Sequence, residues 1–111
     1  GAKKVVAVDN DLDAVLNAKK NVSLNEARAI NLACASLQDI QGTYDIVLAN
    51  IDIKTFSQHS EAVAGFVKKD GYLFVSGILS KNRGQLFKLF DTWNLMNSYR
   101  MNSWWGFLFS Q

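Results

Sequence analysis

Residues 1–11, GAKKVVAVDND, decide how the rest of the chain is read. Lys4–Asp9 alternates little and is rich in valine, the composition of a parallel strand covered on both faces. It finishes on an acid, Asp9. In nucleotide-binding α/β folds an acid at the end of such a strand accepts hydrogen bonds from both hydroxyls of a ribose, roughly 20 residues after a glycine-rich loop. The glycines of this chain, at 1, 42, 65, 71, 77, 84 and 106, include no GxG pair, so the candidate acid comes without such a loop. On its own, Asp9 reads equally well as a helix-capping or loop acid.

Outward from that strand, Asp11 is suited to cap a helix and Asp13 to its first turn. Leu12, Val15, Leu16 and Val22 fall near one helical face, Lys19 and Lys20 lie near its end, and Asn25 is a stop. Ala29–Cys34 predicts a second short strand, with Cys34 a small buried strand residue, and the loop after it ends at Gly42. Tyr44–Asn50 (YDIVLAN) is the most strand-like segment. Phe56, Val63, Phe66 and Val67 then space a helical stripe up to Lys68 and Lys69. Asp70–Gly71 turns the chain into a third long strand, Tyr72–Leu79, and Leu86, Leu89, Phe90 and Trp93 space a further helix. The tail SYRMNSWWGFLFS, residues 98–110, predicts an antiparallel hairpin turning near Asn102–Ser103. Strand and helix alternate until that hairpin, which is the pattern of an α/β sheet.

A length of 111 residues bounds one domain or part of one, and 49% apolar residues suffice for a core. No apolar run approaches the roughly 20 residues needed to span a bilayer, and GAKK lacks the apolar stretch of a secretory signal. A single cysteine excludes an internal disulfide and fits a reducing compartment, so a cytoplasmic location is expected. A net charge of +2 argues for no nucleic-acid surface. The chain opens on Gly1 without a methionine, from which processing or trimming is expected.

Ligands of open α/β sheets bind outside the carboxyl ends of the strands. Those ends hold Asp9, Ser36–Leu37, Asn50 and Ser76–Gly77. Asn50 offers an acceptor and two donors at the lip of the sheet, or simply closes the turn after its strand. His59, the only histidine, shares a stripe with Phe56, Val63 and Phe66, so packing is its expected role. Trp104 and Trp105 point to opposite faces of a strand, which predicts one in the core and one free to line a pocket. No paired carboxylates, Ser/His/Asp set or metal-ligand cluster stands out, so no metal is expected.

Taken together, GAKKVVAVDNDLDAVLNAKKNVSLN (1–25), YDIVLANI (44–51), DGYLFVSGIL (70–79) and SWWGFLF (103–109) resemble the carboxyl-terminal catalytic domain of the methyltransferases of ribosomal large-subunit protein eleven, the PrmA family. The likeness runs in order along nearly the whole chain. It implies a Rossmann-like class I methyltransferase sheet, mostly parallel with an antiparallel terminal hairpin, and an enzyme that uses S-adenosylmethionine to methylate amino groups of a ribosomal protein. It further implies that Asp9 is the ribose acid, that Asn10 lies beside the adenosine, and that Ser36–Leu37 lies where adenine is held. Asn50 would stand beside the transferred methyl, as a cofactor and catalytic residue. The strand and DxGxGSG-type loop that precede Asp9 in that family, and its amino-terminal substrate-recruiting domain, are expected to be missing from residues 1–111. The gap would be filled by an upstream segment, by a second chain through self-association, or by rearranged pairing. The chain alone is therefore expected to be inactive. Asp52 stands where the family has an apolar residue, and KKDG (68–71) where it has KPGG.

Two rivals share parts of the pattern. A receiver domain would use VAVDND as its acidic pair, but Asn50 stands where its phospho-acceptor aspartate belongs. A nicotinamide-dependent dehydrogenase would also want Asp9 at a ribose, but needs the glycine loop and does not end in an aromatic hairpin.

Overall fold

The computed structural model describes residues 1–111 as two compact units, 1–40 and 41–111. The first is a βαβ unit of strand β1 (Val5–Asp9), helix α1 (Leu12–Leu24) and strand β2 (Ile30–Cys34), closed by a short 3₁₀ turn at Leu37–Asp39. β1 and β2 pair in parallel, Val5 opposite Ile30 through Asp9 opposite Cys34. Asp11 caps α1 as expected, its carboxylate accepting from the Asp13 N–H at 2.9 Å, and Asn25 closes the helix.

The second unit runs β3 (Tyr44–Ala49), α2 (Ile53–Gly65), β4 (Val67–Leu79), a 3₁₀ turn, α3 (Arg83–Leu89), β5 (Asn94–Met101) and β6 (Trp104–Ser110). Its four strands lie in the order β3-β4-β6-β5. β3 and β4 are parallel, whereas β4–β6 and β6–β5 are antiparallel. The terminal hairpin is therefore present, as expected, and an all-parallel receiver sheet is excluded. Asn102 makes its turn with a φ of +56°, a conformation asparagine tolerates.

Helices α2 and α3 cover the sheet face that carries Leu73, Val75, Phe107 and Phe109, all buried. Phe56 from α2 and Leu86 and Phe90 from α3 complete the core, with Phe87 edge-on to Phe107 at 5.0 Å and Phe90 tilted against Phe109 at 5.5 Å. Burying each of these large apolar side chains contributes about 1.5–3 kcal/mol. The opposite face shows Ile46 and Leu48 of β3 aligned with Tyr72 and Phe74 of β4, and there Leu48 remains 75% exposed.

Four expectations need correction. The first strand is not covered on both faces: Val6 is 36% exposed, because β1 has β2 as its sole strand neighbour and α1 packs against the pair. Cys34 is exposed rather than buried, at the open end of β2. Helix α2 stops at Gly65, and Val67, Lys68 and Lys69 already belong to β4. Trp93 lies beyond the end of α3.

Candidate functional site

In the first unit the carboxyl ends of β1 and β2 bring together Asp9, Asn10, Ser36 and Leu37. Asp9 is exposed at the end of β1, where Oδ1 accepts from the Asp11 N–H at 2.9 Å. That bond holds the carboxylate against the start of α1. It occupies one oxygen, and a carboxylate has lone pairs enough to accept two hydroxyl protons besides. The side chain borders a shallow groove lined by Ala7, Val8, Ala14, Val15 and Leu32. Asn10 presents its carbonyl to the Cys34 thiol at 3.7 Å, and the Asp9 carbonyl accepts from the Ala35 N–H at 3.0 Å, so the two strand ends are tied side by side.

Ser36 and Leu37 open the 3₁₀ turn. The Ser36 N–H and hydroxyl both reach the Asp39 carboxylate, at 3.1 and 2.9 Å, with Gln38 Oε1 also 3.0 Å from the hydroxyl. The backbone N–H of Ser36 first, and its hydroxyl second, hold the Asp39 carboxyl below the ordinary aspartate value of 3.8. The Ser36 hydroxyl is thus committed within the turn, and the half-buried Leu37 is left as its apolar surface. This turn suits a flat, apolar ring better than a group that needs a hydroxyl.

In the second unit Asn50 lies just past the end of β3 and is exposed. Its carboxamide rests against Gly77, near the end of β4: the Cβ that any other residue would carry at 77 would fall on Asn50 Oδ1. Gly77 has a φ of +76° at an irregularity in the β4–β6 pairing. The departure at Asp52 has a local cause. Asp52 caps α2, accepting from the Thr55 N–H at 3.0 Å and the Thr55 hydroxyl at 2.8 Å, and these two bonds, the backbone one first, hold its carboxyl below 3.8.

His59 is half-buried, at a break in α2 where its backbone (φ −130°, ψ 18°) leaves the helical region. It packs less fully than Phe56 and Val63 of the same helix, which are buried. Neither tryptophan is in the core. Trp104 is exposed, and Trp105 is half-buried with Nε1 donating to Ser80 Oγ at 2.9 Å and the guanidiniums of Arg83 and Arg100 over its ring at 4.5 and 5.5 Å. The contact between Asn50 and Gly77 was not foreseen, although both stand among the strand-end residues. No three His, Cys, Asp or Glu side chains cluster as metal ligands, and no helix is long and apolar enough to cross a membrane.

The family model described as "Ribosomal protein L11 methyltransferase (PrmA)" matches residues 1–111. Proteins of that name from Geotalea daltonii and Campylobacter fetus are 36% identical over 96 residues and 33% identical over 105 residues. These alignments cover 86% and 95% of this chain but 31% and 38% of the relatives, so the chain spans about a third of their length. The crystal structure of a ribosomal protein L11 methylase from Lactobacillus delbrueckii subsp. bulgaricus is similar at a TM-score of 0.92 and 25% identity, over 100% of this chain and 59% of that one. Magnesium protoporphyrin IX methyltransferase from Synechocystis, solved with bound S-adenosylmethionine, shares the fold at a TM-score of 0.80 and 13% identity, over 97% of this chain and 59% of that one. The architecture is thus that of the class I methyltransferases, as expected.

Proposed function

The chain belongs to the ribosomal protein L11 methyltransferase (PrmA) family, and on that premise we propose that it is part of the catalytic domain of an S-adenosylmethionine-dependent enzyme that methylates amino groups of that ribosomal protein. The observation that carries this reading is the end-to-end family match, together with polar residues at the carboxyl ends of β1, β2 and β3. A cytoplasmic location, without direct binding of nucleic acid or membrane, goes with it.

The residues present fit the cofactor's nucleoside. Asp9 has carboxylate lone pairs free beyond its bond to Asp11, as two ribose hydroxyls require. Asn10 adjoins it, and the Ser36–Leu37 turn offers an apolar edge to a base. No glycine pair in the chain suits the methionine end, so residues 1–111 alone would bind the cofactor weakly and would transfer no methyl groups. When bound, S-adenosylmethionine supplies a methyl group already activated on a sulfonium.

What remains for the protein is alignment. An amine attacks only as its neutral form, and a lysine with an unperturbed pKa near 10.4 must first lose a proton, which desolvation favours. Asn50 accepts an N–H bond from that amine and turns its lone pair toward the methyl, converting a random encounter into a near-attack geometry. As the new N–C bond forms and the S–C bond breaks, the methylated amine leaves this step as a secondary ammonium, and one of its two N–H protons passes to water. No strong general base is needed.

The test is to incubate the full-length gene product with S-adenosylmethionine and the ribosomal protein and to map modified residues by mass spectrometry. Methylated amino groups are expected; an unmodified ribosomal protein overturns the proposal.

A further inference from the structure

The geometry points to Gly77 as the positioning residue that seats the Asn50 side chain. This inference rests on the role proposed for Asn50, and it adds the part of the molecule that makes the role possible. An exposed asparagine at the end of a strand ordinarily samples several rotamers. A residue that must align an attacking amine cannot do so, since a displacement of about 1 Å in such a group can lower a rate by roughly 100-fold.

Three observations converge on residue 77. Ala49 is opposite Val75 in the parallel β3–β4 pair, so where β3 ends and β4 runs on beside β6, Asn50 comes next to Gly77. There the β4–β6 register shifts between Val75 and Ile78, and Gly77 takes a φ of +76° in which an L side chain is strained. The space a Cβ would fill is occupied by Asn50 Oδ1. The hydrogen that glycine carries in place of Cβ therefore points at the amide oxygen, the arrangement of a weak C–H···O contact. Glycine at 77 thus does two things: it permits the bend, and it leaves a notch shaped for one carboxamide rotamer. With Oδ1 resting against that notch, the amide plane is fixed before any substrate arrives, and the oxygen's second lone pair is left to accept the amine N–H. The half-turn of freedom that an amine-aligning group would otherwise lose at each turnover is removed in advance.

The backbone requirement and the notch can be separated by experiment. Gly42 also has a positive φ, +90°, but a Cβ there would meet nothing nearer than the Tyr44 hydroxyl at 4.0 Å. Gly42→Ala therefore introduces comparable backbone strain without touching Asn50. In the full-length gene product, Gly77→Ala is expected to lower kcat by about tenfold or more, with little change in the KM for S-adenosylmethionine. Gly42→Ala should leave both near wild type. In an Asn50→Ala background, adding Gly77→Ala should lower kcat no further than adding Gly42→Ala. In side-chain amide NMR spectra, the Asn50 NH₂ pair should move in Gly77→Ala and stay in place in Gly42→Ala. An unmoved pair overturns the inference.

Should Gly77→Ala fail to fold, three-bond couplings across χ1 of Asn50 in the wild-type protein decide the matter. One rotamer supports the seat, and averaged couplings sink it. The spectra report the seat whether or not the protein methylates anything. Conversely, an Asn50→Ala variant with wild-type turnover would remove the functional reading and leave the seat standing.

Discussion

Residues 1–40 and residues 41–111 are built from the same strand–helix–strand repeat, yet only the second set encloses a core. Every buried apolar residue of the chain, from Phe56 to Phe109, belongs to the second unit, and no residue of the first falls in that class. The difference comes from layers and from residue size. Two strands with one helix of Ala, Val and Leu leave Leu12 and Leu16 more than half exposed. Four strands under two helices, filled with phenylalanines that meet edge to face, close the covered face of the sheet. Local propensity can specify a βαβ unit, but burial requires a second layer wide enough to cover it.

The largest effect that would break this contrast is a core truncation. Phe107→Ala should destabilise the protein by about 3–5 kcal/mol in denaturant unfolding. Leu16→Ala on the exposed part of α1 should stay within about 0.5 kcal/mol. Equal losses at the two positions would show that the first unit has a core of its own.

A second contrast is functional. Asp9→Ala should weaken S-adenosylmethionine binding about tenfold or more by calorimetry, because it removes charge-assisted hydrogen bonds. Asn50→Ala should instead lower kcat with little change in cofactor affinity. Reversed results would exchange the roles assigned to the two units.

Hydrogen exchange sharpens the comparison at smaller amplitude. Amides of β4 and β6 should exchange at the rate of global unfolding, and those of β1 and β2 at least about tenfold faster through local opening. Uniform protection across both units would refute the contrast.

The smallest effect concerns acid. Asp39 in the first unit and Asp52 in the second are both held below 3.8 by hydrogen bonds, from Ser36 and Thr55 respectively. A depressed carboxyl stabilises the fold in full above its unfolded value and loses that contribution as pH falls from there through its folded value. Asp52→Asn, which removes the charge but keeps a capping oxygen, should therefore differ most from wild type near neutrality. The gap in unfolding midpoint should close as the pH is taken below about 3.8. A gap that stays constant with pH would mean that the charge contributes nothing at the cap.

Much of this was legible in the residues because local chemistry decides it. Asp11 and Asn25 bracket α1 by capping, a valine-rich run marks β1 and an aliphatic one β3, and the SYRMNSWWGFLFS segment pairs with itself across a turn. Where the reading slipped, a local signal ran past its physical boundary. Phe66 and Val67 continue the helical spacing of α2, but β3 captures Val67 opposite Tyr44 and the chain turns extended. The β5 strand likewise begins at Asn94, before the residues that look strand-like, because β6 supplies partners as far as Ser110. Burial was over-read at Lys4–Asp9 and at Cys34, since apolar composition says what can be covered and not what covers it. The candidate residues were found by their place at strand ends. The notch at Gly77 was not, because it depends on which strands are neighbours and on a shift of register.

The two-residue turn between β5 and β6 also has a bearing on how the chain acquires its form. Met101 meets Trp104 almost at once, whereas Tyr72 must find Ile46 across all of α2. Hairpins close in roughly 1–10 μs, while pairings between distant segments wait on the loss of loop entropy. The ribbon of β5 and β6 is therefore expected to form early and to present β6 as a template for β4, which in turn receives β3. During synthesis this order runs against the direction of the chain. The strand that delivers Asn50 emerges well before the ribbon that secures its neighbour, and it waits for its final place until residues 94–110 have been made.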